Sequence, residues 1–385
     1  MTVIECTSCE EERAGGASFC EACGRKLAET ASSAAEKSGA EEETPVAETA
    51  GGGRKDCARC GAAGSVGDDA YCGECGMMAG RSRDHLEADG GPSGAAVSDR
   101  GRRHHRNEDA MWLAVGSQAA DVVVCDGVSA SFDPDAASDI AVRAAGELLA
   151  GARHPDEPSP ADAGNPDETA DLEGLERPLG ALGLAGAVSH AIAGAAAAVA
   201  SLAHTGDPRR AAANPACTIV AAAVRGPHVG YGWVGDSRIY WLGPQGPAQQ
   251  LTEDDSWATH VIAMGVDPVT AMNDPKAHAI TAWLGADAGP VAPRVRSFTA
   301  AEPGHLILCS DGLWNYLPDA ADFGSVVRDC LETANSLLGA TRALVAYANA
   351  AGGSDNITVA LIPVRPADSP ADEAGTPDPQ TTELA

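Results

Sequence analysis

The run Val122-Val123-Val124-Cys125 stops abruptly at Asp126-Gly127. It is too short for a helix and shows no polar alternation, so it reads as a strand buried on both faces and closed by a tight turn. Such a strand needs cover above and below, which rules out a lone exposed sheet. A carboxylate carried to the lip of a rigid strand, followed by a glycine whose backbone can come close to a ligand, also suits a hard cation.

The arrangement recurs. Leu306-Ile307-Leu308-Cys309 leads into Ser310-Asp311-Gly312, and Ser354-Asp355-Asn356 precedes the apolar run Ile357 to Ile362. Asn107-Glu108-Asp109 stands directly before a further apolar stretch, Ala110 to Val115. Asp-Gly is ordinary turn chemistry, and any one of these taken singly reads as a turn. Acidic positions at four strand ends together point to one polynuclear metal site.

Apolar runs near 217–224, 228–234 and 238–242 join those at 110–115, 121–125, 304–309 and 357–362, and the pattern predicts helices over 133–151, 179–204 and 334–351. Clustered strands with intervening helices fit an α+β fold of two stacked antiparallel sheets flanked by helices. The tract 179–203 is long enough to cross a bilayer, but it consists largely of Ala and Gly and carries Ser189 and His190. A buried domain helix is the expectation there.

Six short motifs follow one another along this region: Ser98-Asp99-Arg100-Gly101 running to Asn107-Glu108-Asp109, Asp126-Gly127, Gly235-Asp236-Ser237-Arg238, Leu251-Thr252-Glu253-Asp254, Ser310-Asp311-Gly312-Leu313-Trp314, and Ser354-Asp355-Asn356-Ile357-Thr358. The succession resembles the metal-dependent serine/threonine protein phosphatases of type 2C, over about Ser98 to Val364. That resemblance implies an α-β-β-α sandwich with metals in the cleft where the sheets end. It implies hydrolysis of phosphoserine and phosphothreonine in proteins through a metal-bridging hydroxide, with two or three Mn²⁺ or Mg²⁺ ions. By the same resemblance, Asp126 bridges two ions, Asp311 and Asp355 complete the first, and Glu108 with the Gly127 carbonyl holds the second. Asp109 would orient a metal-bound water, and Asp236 with Asp311 would support a third ion. Asp236 reads equally as the turn between the runs at 228–234 and 238–242.

The chemistry agrees with the residues. No cysteine sits in a Gly-rich, Arg-flanked loop that would lower its pKa, so a thiolate nucleophile is not indicated. A pair of divalent cations generates a nucleophile near neutral pH and holds both attacking and leaving oxygens, and oxygen ligands select hard ions. Phosphorylated substrates of a serine/threonine kinase would be the partners. A phosphoprotein-binding scaffold with weakened catalysis is the alternative, and the complete carboxylate set argues against it.

The chain departs from the family pattern at three places. His104 stands where the family has the arginine that grips the substrate phosphate, with Arg103 and Arg106 close by as candidate replacements. Val128 follows Asp126-Gly127 where some relatives carry a histidine acid, and it cannot donate a proton. Asp255 replaces a common histidine, which looks structural. The segment from Met264 to Gly285 corresponds to the flap beside the cleft, with Trp283 assigned either to that flap or to core packing.

Of twelve cysteines, Cys125, Cys217, Cys309 and Cys330 are scattered, and the rest fall in paired Cys-x-x-Cys sets before residue 76. Cys6, Cys9, Cys20 and Cys23 form one set, and Cys57, Cys60, Cys72 and Cys75 form the other. Four thiolates give the closed tetrahedral shell of a structural zinc, so two small zinc ribbons at 1–26 and 54–79 are expected, holding two Zn²⁺. Neither has enough apolar residues to fold without metal. Residues 27–53 read as a disordered linker, 80–94 as a second linker, 95–365 as the phosphatase domain with a surface insertion at 154–178, and 366–385 as an acidic tail.

The chain has 26 Lys plus Arg against 55 Asp plus Glu, a formal charge of −29. Such a balance disfavours nucleic acid or an anionic membrane as main partner, and the ribbons carry no basic patch, so protein docking or autoregulation is the reading for them. Met1 to Arg13 has no apolar core of a signal peptide, and thiol usage suits a reducing compartment, so a cytoplasmic location is expected.

Overall fold

Alternate side chains of the strand Ala119–Cys125 face two different cores, which explains the unbroken apolar run. Val122 and Val124 enter a cluster with Val220, Trp233, Ile239, Leu306 and Ile362, which lies between two sheets. Val123 and Cys125 enter another with Ala141, Ala145, Leu184 and Ile192, which lies between a sheet and helices. The computed structural model describes residues 57, 62–67, 71–76, 80–116, 118–152 and 180–366, in two compact units, Met1–Ser82 and Arg83–Ala385.

The larger unit holds β1 (His85–Asp89), β2 (Ala95–Asp99), β3 (Ala110–Val115), β4 (Ala119–Cys125), α1 (Pro134–Gly151), α2 (Ala181–Ser201), α3 (Pro208–Ala212), β5 (Ala216–Cys217), β6 (Ile219–Arg225), β7 (His228–Val234), β8 (Arg238–Leu242) and β9 (Gln249–Gln250). There follow α4 (Trp257–Ala263), α5 (Pro268–Met272), β10 (Leu284–Gly285), β11 (Arg294–Thr299), β12 (Gly304–Cys309), α6 (Asp311–Trp314), α7 (Ala320–Thr333), α8 (Leu337–Ala351) and β13 (Ile357–Val364). One sheet has the order β1-β2-β13-β12-β8-β9 and the other β11-β7-β6-β4-β3, and every pairing is antiparallel. β5 and β10 make a separate short pair.

The first sheet packs its outer face on α7 and α8, where Tyr240 stacks on Phe323 with ring centroids 4.0 Å apart and Leu344 and Leu361 are fully buried. The second is covered by α1 and α2, giving the α-β-β-α sandwich. α2 passes tests of length and hydropathy for a membrane span, yet Leu184, Val188, Ile192 and Val199 on one face are wholly buried in the domain core. The expectation of a domain helix over that tract therefore holds. One reading needs amending. β1 lies inside the 80–94 stretch read as a linker, and pairs along its whole length with β2, from His85 opposite Asp99 to Asp89 opposite Ala95. Its side chains are mostly exposed, as for an edge strand, so no apolar signal marked it. The insertion at 154–178 lies outside the described residues, as do 27–53 and nearly all of the tail.

Candidate active site

β3, β4, β12 and β13 all bring an end to one edge of the sandwich, and every predicted carboxylate except Asp236 sits at such an end. Asp126 follows the last residue of β4, Asp311 opens α6 just after β12, Asp355 precedes β13, and Glu108 and Asp109 precede β3. The approach of β12 to β13 is close. A Cβ on Gly312 would lie 1.9 Å from the Asn356 carbonyl oxygen, so no side chain fits between Asp311 and the turn that carries Asp355.

The carboxylates crowd one another. Burial raises Asp126 well above the ordinary carboxylate range, and the charges of Asp109, Asp311, Asp236 and Asp355 push it further. Asp311 is raised in the same way, by burial first and then by Asp355, Asp236 and Asp109. Asp236, at the turn between β7 and β8, is pushed to about 7 by burial and by Asp254. Like charges gathered in a low-dielectric cleft are unstable without cations. The buried Oδ1 atoms of Asp109 and Asp311 have no hydrogen-bond partner, which leaves acceptors free for an ion or its water. The donor set is all oxygen and fits Mn²⁺ or Mg²⁺. Among the described residues, no three carboxylates gather as tightly as three thiols in the smaller unit do, where the ligand atoms lie within 4.8 Å of one another.

Asp109 is fully buried and anchored on both sides. Its Oδ2 accepts from Ser310 Oγ (2.8 Å) and from Thr358 Oγ1 (2.7 Å). Thr358 has spent its only proton there, so Ser98 Oγ donates to it (2.7 Å) and in turn accepts from Asn107 Nδ2 (2.9 Å). Burial holds the Asp109 carboxyl up at about 7 despite these donors. Asn356 ties the loop before β3 to the start of β13. Its Oδ1 accepts from the Glu108 amide (2.7 Å), and its Nδ2 donates to the carbonyls of Arg100 (2.7 Å) and Arg106 (3.0 Å). Glu108 is gripped by Arg106 Nε (2.9 Å) on one oxygen and Ser129 Oγ (2.6 Å) on the other.

The three cations named from the sequence have different fates. Arg106 is committed to Glu108 and to Asp135, 3.3 Å away. His104 Nε2 lies 3.2 Å from Asp355 Oδ1 and so belongs to the cleft. Arg103 is exposed. Asp255 is structural, as expected: it accepts from the Gly235 amide (2.9 Å) and pairs with Arg294. Trp283 donates its indole N–H to Asp287 (3.1 Å). Sequence reasoning overlooked Ser129, Ser310, Thr358 and the role of Asn356. All but Ser129 stood inside the recognised motifs, but a hydroxyl or amide reveals its partner only when distant strands meet.

The sequence matches the protein phosphatase 2C family over residues 99–346. The chain belongs to the protein phosphatase 2C family. It is 34% identical over 146 residues to a serine/threonine phosphatase, stp, of Listeria welshimeri, covering 38% of this chain and 55% of the relative. It is also 34% identical over 140 residues to the protein phosphatase PhpP of Streptococcus pneumoniae, covering 36% of this chain and 54% of the relative. The chain thus spans about half the length of these curated relatives. The solved structure of the S. agalactiae serine/threonine phosphatase superposes with a TM-score of 0.53 at 25% identity, covering 73% of this chain and all of the other. Phosphatase 2C membership accounts for the sandwich and for the motif order, and the family's Mn²⁺ or Mg²⁺ suits the oxygen donors described above.

In the smaller unit, Cys57, Cys72 and Cys75 converge. Cys57 Sγ lies 3.9 Å from Cys75 Sγ, and Ser65 Oγ lies 3.1 Å from Cys72 Sγ. A bridge between Val66 and Cys72 and the Gly76 amide bonded to the Cys72 carbonyl (2.8 Å) shape the turn. Cys60 and the set of Cys6, Cys9, Cys20 and Cys23 lie outside the described residues.

Proposed function

We propose that the chain is a metal-dependent phosphoprotein phosphatase that hydrolyses phosphoserine and phosphothreonine. The observation that carries this reading is the convergence of Glu108, Asp126, Asp236, Asp311 and Asp355 at one edge of the sandwich, where burial and then the charges of neighbouring carboxylates raise the pKa values of Asp126, Asp311 and Asp236. Divalent cations bound there supply charge neutralisation for the phosphate and a nucleophile at neutral pH. Asp126, Asp311, Asp355, Glu108 and the Gly127 carbonyl hold them, and Asp236 with Asp311 serves a third. The chain's own groups set the geometry. Arg106 and Ser129 fix both oxygens of Glu108, and the Ser98–Thr358 relay fixes Asp109 so that its unpartnered oxygen can orient a water. His104 contacts the phosphate from beside Asp355, while Arg106 acts as a positioning residue.

We also infer that Cys57, Cys60, Cys72 and Cys75 hold one structural Zn²⁺ and Cys6, Cys9, Cys20 and Cys23 another. The three-thiol convergence supports the first. Two ribbons, a phosphatase domain and a cytoplasmic location form one consistent reading, with protein partners favoured for the ribbons. The test is hydrolysis of p-nitrophenyl phosphate and a phosphothreonine peptide by the full chain, titrated with Mn²⁺ and Mg²⁺, beside elemental analysis for zinc. Metal-dependent turnover and about two zinc per chain are expected from two closed Cys₄ shells. Peptide binding without turnover at any Mn²⁺ concentration would favour the scaffold.

A further inference from the structure

We propose that Arg102 and Arg103 form a basic rim on the cleft that selects phosphopeptides with acidic residues beside the phosphorylated one. The inference rests on the phosphatase reading and names its substrate class.

The segment 100–106 carries Arg100, Arg102, Arg103 and Arg106 in a chain with more than twice as many acidic as basic side chains. With carboxylates so abundant, an exposed arginine readily finds one. Arg100 has Asp84 at 3.8 Å, and Arg106 has Glu108 and Asp135. Arg102 and Arg103 are exposed and have no ion-pair or hydrogen-bond partner for their guanidinium groups among the described residues. His105 beside them is exposed as well.

Their position is fixed against the cleft. The Gly353 carbonyl accepts from both the Arg102 amide (2.8 Å) and the Arg103 amide (3.2 Å), next to the turn that carries Asp355. Packing there is too tight for any other residue. A Cβ on Gly101, whose φ is +74°, would fall 2.1 Å from the Asp355 carbonyl oxygen, and one on Gly353, at φ +54°, would fall 2.9 Å from Arg102 Cγ. His104, next in the chain, already reaches Asp355. The two free guanidinium groups therefore leave the backbone within a residue or two of the reacting centre.

Range decides what they can attract. The net charge of −29 repels an acidic peptide, but charges beyond a Debye length of about 8–10 Å are screened at physiological salt. Groups on the rim act inside that distance on residues flanking a bound phosphate. Each exposed pair contributes roughly a two- to fivefold effect, so two give about tenfold.

The experiment compares two labelled phosphothreonine peptides that differ only in Glu against Gln at the flanking positions, with full-length wild type and Arg102→Gln in saturating Mn²⁺. Wild type should favour the Glu peptide by about tenfold in kcat/KM, mostly through KM, and 0.5 M NaCl should erase the preference. Arg102→Gln should lose about threefold on the Glu peptide and nothing on the Gln peptide or on p-nitrophenyl phosphate. Equal kcat/KM for the two peptides, or an equal loss on both in the variant, overturns the proposal. If p-nitrophenyl phosphate is not hydrolysed at all, the phosphatase reading itself has failed. Fluorescence anisotropy of the same peptides then reads the rim directly: tighter binding of the Glu peptide upholds it and equal binding removes it.

Discussion

Asn356→Ala should loosen the cleft without touching a metal ligand. The Asn356 side chain is 2% exposed and joins three backbone groups, the Glu108 amide and the carbonyls of Arg100 and Arg106. At roughly 1 kcal/mol net for each bond, the substitution costs about 3 kcal/mol, with more if a buried amide stays unpaired. For a domain of this size that corresponds to a fall in Tm of about 6 °C, at about 2 °C per kcal/mol. Released from Asn356, the Glu108 backbone no longer holds its carboxylate in register. Half-saturating Mn²⁺ should rise by about 10- to 100-fold, the usual effect of losing a group that supports a ligand. Thermal melts of the metal-free chain and Mn²⁺ titration of p-nitrophenyl phosphate hydrolysis read the two effects separately. Asn356→Asp is a useful companion, because it can still accept from the Glu108 amide but cannot donate to either carbonyl. A stability loss below about 0.5 kcal/mol, with Mn²⁺ activation unchanged, would refute the role assigned to this tie.

Other consequences can be measured in the same assays. Asp126→Ala should abolish turnover while leaving the metal-free Tm unchanged or raised, since one repelling carboxylate is gone; activity within about tenfold of wild type in saturating Mn²⁺ would sink the two-metal assignment. Asp236 in the metal-free fold keeps its proton up to about pH 7, against an ordinary value of 3.8, so the folded state binds more protons than the unfolded state between those values. Stability should therefore fall as pH rises from about 4 to about 7, by roughly 2–4 kcal/mol, and Mn²⁺ should cancel the loss; a metal-free Tm that climbs over that interval would contradict the repulsion argument. His104→Arg should raise kcat/KM on phosphopeptides, because a guanidinium is permanently charged and can bind two phosphate oxygens at once. A lower kcat/KM in that variant, together with a hundredfold loss (about 2.7 kcal/mol) in Arg103→Ala, would move the phosphate grip to Arg103.

Much of this protein was legible from local pattern. Buried strands leave contiguous apolar runs because both sheet faces are covered, so β3, β4, β6, β7, β8, β12 and β13 were visible as sequence, and the carboxylates at their ends were visible with them. Two of the edge strands give no such signal. β1 and β11 have largely unburied side chains, and only pairing with a neighbour makes them strands. The helices over 134–151, 181–201 and 337–351 followed from composition and turn signals, whereas α7, with Phe323 and Val327 buried among polar neighbours, needed the sheet to define its inner face.

The sequence by itself determined which groups could bind a hard cation and, through motif order, that they would meet in a phosphatase 2C fold. Only the tertiary structure decided their protonation and their neighbours. A carboxyl such as Asp109 rises to about 7 because four chain segments remove its water and leave it two hydroxyl donors, from Ser310 and Thr358. The same closure assigned the arginines. Arg106 and Arg102 are four residues apart with identical chemistry, yet one is held by Glu108 and Asp135 while the other stands free on the rim. Charge is a property of the residue, whereas its partner is set by whichever part of the folded chain comes within reach.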